Sequence, residues 1–214
     1  MTRHDLIQGL GADADSAGRA ALELFESRDA AERMADAAIS AAVRASVAEG
    51  NHNAAALLLL GYDSSTEAAE LLSGLRDSAA GSLTKLQPWT QLVPAALVAD
   101  IALSRQGDGE ARNRLLESIE TGELATLTFL VSVLREIDAS ELLQALARSL
   151  DDEREVSGGV PSGATPARRL ADDAVDAFVE RLGLDVGFSL DSARRYTSAE
   201  AGEVKSRILG SIPQ

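Results

Sequence analysis

The feature that most limits the fold of this 214-residue chain is an apolar spacing of three and four that recurs across residues 95–150. Leu97 with Ile101, Leu115 with Ile119, Leu127 with Leu130 and Leu134, and Leu142 with Leu146 each place apolar side chains on one face of a helix of 3.6 residues per turn. Polar turns separate these stripes, so the segment reads as helix, short turn, helix, twice over. A five-residue phrase recurs on the second helix of successive hairpins, LLSGL at 71–75, LLESI at 115–119 and LLQAL at 142–146. The phrases begin 44 and 27 residues apart, a ragged period of about 36 that lies within the range of two-helix repeats. The spacing predicts an all-α fold, a short α-solenoid of helical hairpins forming a single domain over 1–214.

Composition agrees with that reading. Hydrophobic residues make up 45% of the chain but aromatics only 3%. The apolar content is mainly Ala and Leu, which favours helix-on-helix packing over sheets. With no cysteine there is no disulfide framework, thiolate metal site or cysteine nucleophile. The N-terminal MTRHDLIQGLGADADS has charge and glycine where a signal peptide needs an apolar core, and the apolar runs at 54–60 and 92–103 are too short to span a bilayer. A cytoplasmic protein without membrane contact is expected.

Taken in order, residues 1–12 form a loose or short helical lead, and Asp15 or Ser16 caps a helix running through Phe25. Asp29 and Glu32 have capping-box spacing and open a long alanine-rich helix over 30–48. The next helix, 52–61, ends at Gly61, and Ser64 with Glu67 opens its partner over 65–77. Residues 78–90 read as a longer connection, and Pro94 falls in the first turn of the following helix. The stretch 151–166 reads as an exposed loop, charged first and then rich in glycine, serine and proline. Thr165-Pro166 restarts a helix that ends before Gly183, 184–196 is irregular, and Thr197 with Glu200 caps the last helix. Residues 167–209 thus form a C-terminal unit that closes the stack.

Enzymatic chemistry has little material. His4 and His52 lie in different regions and lack metal-ligand spacing. The glycines at 158, 159 and 163 are not followed by the Lys-Ser/Thr of a phosphate-binding loop. Asp172 and Asp176 share a helix face, close enough for a divalent cation, but the remaining ligands are missing, and pairing with Arg168 and Arg169 is the simpler expectation. No catalytic, metal or cofactor-binding residue is assigned. Charge is more informative. The net charge of −14 disfavours nucleic acid and favours a basic protein partner. Half of the excess lies in 108–155, with 12 acidic against 5 basic residues, whereas 164–214 is nearly balanced at 8 against 7. Glu110, Glu117, Glu120, Glu136, Asp138, Glu141, Asp151, Asp152 and Glu153 are therefore the candidate partner-binding residues.

The hairpins over 54–150, the three repeated phrases and the closing sequence ARRLADDAVDAFVERLGLDVGF…RRYTSAEAGEVKSRIL resemble HEAT-like repeat proteins. The closing sequence is the more specific part. It is similar to the C-terminal ends of small bacterial HEAT-like immunity proteins, which bind secreted toxins. The N-terminal 50 residues and the ragged period depart from that pattern. The resemblance implies a cytoplasmic, non-enzymatic protein that neutralises a toxin effector, with a general HEAT-like scaffold as the second reading and a lyase-type enzyme as a third.

Overall fold

The structure, a computed structural model, describes residues 1–78, 81–86, 91–156 and 167–211. It is all-α, with a single two-stranded ladder among the described residues. The chain divides into two compact units, Met1–Leu115 and Leu116–Gln214.

The first unit opens with α1 (Arg3–Leu10), where Thr2 and Asp5 form a capping box, and α2 (Ala14–Glu26), where the Asp13 side chain accepts from the backbone of Asp15 and Ser16. The cap thus falls at Asp13 rather than at Asp15 or Ser16. The expected helix over 30–48 is two helices, α3 (Ala30–Met34) and α4 (Ala37–Ala48). Asp29 makes no cap bond, since its backbone (φ −104°, ψ 20°) lacks the extended conformation of a cap residue, and its carboxylate pairs with Arg33, 2.9 Å away one turn on. Asp36 caps instead, accepting from the N–H groups of Ala38 and Ile39 at 2.9 and 3.4 Å and from Arg3 at 2.6 Å.

At the centre of this unit lies α5 (Ala54–Leu60), whose sequence AAALLLL is apolar all round and whose seven residues are all buried, as a helix with neighbours on every side requires. It packs against α2, α4 and α7 (Ala95–Arg105). Gly61 does follow α5, but in a right-handed conformation (φ −62°). Its glycine serves close packing, since a Cβ there would lie 3.0 Å from the Leu58 carbonyl oxygen and 3.1 Å from Cα of Ala102 on α7. Gln106 donates to the carbonyls of Leu60 and Asp63 at 2.8 and 2.6 Å, satisfying acceptors left free at the end of α5. The partner helix, α6 (Thr66–Ser78), is capped by the Ser65 hydroxyl rather than Ser64.

The connection over 78–90 holds a feature the periodicity did not announce. Leu83–Thr84 (β1) pairs antiparallel with Val93–Pro94 (β2), and Pro94 stands at the cap of α7 rather than inside it. Residues 79–80 and 87–90, with Pro88 and Trp89, lie outside the described residues.

Helix α8 (Gly109–Thr121) contains the boundary between the units. The second unit continues with α9 (Leu124–Ser132), a 3-10 turn at Leu134–Glu136, α10 (Ser140–Leu146), a 3-10 turn at Ala147–Asp151, α11 (Leu170–Leu182) and α12 (Ser198–Ser211). Its core is α11, which packs on α9, on both 3-10 turns and on α12. Leu170, Ala174, Val175 and Phe178 on this helix are fully buried. The helix ends at Gly183 in the left-handed region (φ 57°), the conformation that glycine adopts most readily. All nine stripe residues named at the outset are at most 7% exposed. Only part of 151–166 is described: residues 152–156 are held to 168–171 by backbone hydrogen bonds from Val156, Leu170 and Ala171, so that end is pinned. Residues 157–166, including the Thr165-Pro166 cap, lie outside the described residues.

Candidate functional site

The candidate carboxylates are not equivalent once placed. On α8, Ala111, Leu115 and Ile119 are buried, which turns Glu110, Glu117 and Glu120 outward. Their spacing of seven and three follows one helical stripe. Glu110 reaches Arg114 only at 3.8 Å. Glu117 and Glu120 are exposed and make no ion pair among the described residues.

The rest of the set is largely neutralised within the second unit. Asp138 pairs with Arg181 at 2.7 Å, Asp152 with Arg154 at 2.5 Å and Glu153 with Arg169 at 2.5 Å, while Asp151 pairs with Lys205. Glu141 is half-buried and accepts from the Ser140 hydroxyl at 3.3 Å. Glu136 must be removed from the partner-facing set. It is 2% exposed and paired with Arg135 at 2.9 Å, because the 3-10 turn at 134–136 rotates it inward, out of register with the preceding helix.

The closing sequence forms a polar clamp. Arg168 bridges Asp173 and Asp176, each at 2.6 Å, and donates to the carbonyls of Asp191 and Arg194. Arg169 holds Asp172, which is fully buried, and donates to the Tyr196 carbonyl at 2.5 Å. Tyr196 returns the connection, its N–H donating to Asp172 at 2.8 Å and its hydroxyl to Asp176 at 2.5 Å. Burial works against the Asp172 charge, but the bonds from Arg169 and the Tyr196 N–H outweigh it and hold its pKa below the usual value. Burial wins at Asp173, whose pKa is raised despite Arg168. The arginines thus satisfy the carboxylates, and the irregular stretch 184–197 is tied onto α11. No group of three or more ligating side chains among the described residues is arranged to hold a metal ion.

Compared with known proteins, the chain matches no family model, no curated protein and no solved structure. The two histidines are both exposed and lie apart, on α1 and before α5. No described helix is long and apolar enough to cross a membrane.

Two buried carboxylates were not singled out by sequence reasoning. Asp63 is 8% exposed and accepts from Ser40, Arg44 and the Ser65 N–H, and these bonds outweigh the cost of its burial and lower its pKa. Asp100 is 7% exposed and held by Arg114 at 2.8 Å, yet burial leaves its pKa raised. Asp100 was legible as a charge within an apolar helix, but its partner 14 positions on was not.

Proposed function

We propose that this protein is a non-enzymatic, cytoplasmic binding module of the HEAT-like kind, and more specifically an immunity protein that neutralises a bacterial toxin effector by covering its basic active-site groove. What supports the reading is the outer face of α8, where Glu117 and Glu120 stand exposed without an ion pair among the described residues, while the carboxylates at 136–153 are buried, half-buried or paired. Unpaired surface carboxylates attract the Lys and Arg of a groove built for phosphate, giving fast, salt-sensitive association.

The test is capture from the native host on the immobilised chain, followed by mass spectrometry and by association kinetics with the retained protein at two salt concentrations. The wild type should retain a basic protein. Glu117→Lys with Glu120→Lys should slow its association by about tenfold or more and remove most of the salt dependence. Glu180→Lys with Asp185→Lys, at exposed positions on and just after α11, should change the rate much less. Equal effects from the two pairs would mean that the acidity serves solubility and that binding lies elsewhere.

A further inference from the structure

Helix α8 ends at Thr121 and α9 begins at Leu124, so the carbonyls left free at one helix end adjoin the N–H groups left free at the other. Glu123, the cap residue of α9, makes no side-chain cap bond. A pocket of about 200 Å³ opens at this junction, lined by Gly122, by Ile119 and Leu127, by Ala145 of α10 and by Ser149 of the 3-10 turn that follows it. Ser149 is 2% exposed, and its hydroxyl has no hydrogen-bond partner among the described residues. A buried hydroxyl of this kind is ordinarily bonded, and one without a partner calls for an explanation.

The charged lining is of both signs. Asp152 and Arg154 satisfy each other through bonds of 2.5–3.1 Å and leave no net demand. Glu120 and Arg148 are different: both line the pocket, both are exposed, and neither makes an ion pair among the described residues, with each other or with another group. A purely cationic ligand would meet Glu120 but face Arg148, and a purely anionic one the reverse. A dipolar ligand satisfies both. The volume lies below the roughly 300–1,000 Å³ of sites for drug-sized molecules, and the floor of Ile119, Leu127 and Ala145 is aliphatic.

We propose that this pocket binds a single zwitterionic α-amino acid with an aliphatic side chain, its ammonium toward Glu120, its carboxylate toward Arg148, its side chain on Ile119 and Leu127, and a hydrogen bond to the Ser149 hydroxyl. The site shares Glu120 with the proposed partner face, but Arg148 and Ser149 belong to the pocket alone, and ligand binding is read on the isolated chain without any protein partner.

The test is titration of the full chain with L-leucine, with 3-methylbutylamine, which lacks the carboxylate, and with 4-methylpentanoate, which lacks the ammonium, followed by calorimetry and by amide chemical shifts. Saturable binding of L-leucine is expected, with each single-charge analogue at least about tenfold weaker. Glu120→Gln, Arg148→Gln and Ser149→Ala should each weaken leucine binding by a comparable factor while circular dichroism and Tm stay as in the wild type. If a variant loses Tm, shifts at Gly122 and Ala145 in the wild type on leucine addition decide the point. Absence of saturable leucine binding overturns the proposal. An amine or acid that binds as tightly as leucine also overturns it, as does binding unaffected by all three substitutions.

Discussion

At the scale of single residues, the sign of each carboxylate's contribution depends on whether burial or bonding wins. Asp172 is fully buried and bonded by Arg169 and the Tyr196 N–H, and its pKa is lowered. A lowered value means that its stabilisation is present above the unfolded carboxylate range near about 3.9 and is lost as pH falls through the folded value. Asp172→Asn should therefore cost about 3–5 kcal/mol near neutral pH, since it leaves Arg169 without its buried partner. In urea unfolding followed across pH, the gap between wild type and variant should narrow as pH falls below about 4; a gap that does not change with pH would place the effect in packing alone. Asp151→Ala, by contrast, breaks only a solvent-exposed pair with Lys205 and should stay within about 0.5–1 kcal/mol. Asp100 and Asp173 have the opposite sign. Burial raises both values, so each costs stability at neutral pH, and the cost is relieved as pH falls through the raised value.

At the scale of elements, helix starts are decided by which side chain is available to cap. Asp29 and Asp36 both precede alanine-rich helix and both pair with an arginine, yet only Asp36 bonds the free backbone donors, because its backbone is extended (ψ 113°) as a cap requires whereas that of Asp29 is not (ψ 20°). Bonds from Arg3 and from the Ala38 and Ile39 N–H groups hold the Asp36 pKa at about 2. Asp36→Ala should lower Tm measurably and Asp29→Ala much less, since only the first removes a helix cap; thermal unfolding of the two variants compares them. Equal losses would mean that the break at 35–36 is not set by the cap. The repeated phrases show the same dependence on local register. Their fifth residues, Leu75, Ile119 and Leu146, are all buried, but Leu71 at the head of the first phrase is only half-buried whereas Leu115 and Leu142 are fully buried.

At the scale of the whole molecule, the chain is a set of helices with one two-residue ladder at 83–84 and 93–94 among the described residues. Far-ultraviolet circular dichroism should give a strongly helical spectrum with negligible sheet, and a clear strand contribution would contradict the architecture. The acidity is a whole-chain property in composition but a local one in effect. The surplus that 108–155 carries by count is largely cancelled around 136–155 and remains open on α8.

The helical faces were legible in the sequence because a period of 3.6 fixes which residues share a face whatever the partner helix is, and Leu97 through Leu146 are buried as that period requires. The capping of α12 by Thr197 and Glu200 and the helix end at Gly183 were legible for the same reason, as their bonds span four residues or fewer. The pairing of Asp172, Asp173 and Asp176 with Arg168 and Arg169 was readable in kind, though not in its particular partners. Tertiary structure alone decided which carboxylates remain open. Asp138 meets Arg181, Glu155 meets Arg195 and Asp151 meets Lys205 across 43, 40 and 54 positions, and no local spacing encodes those encounters. The inward turn of Glu136 and the pocket at Ser149 arise in the same way, where 3-10 turns break the helical period and packing across the chain sets which way a side chain faces.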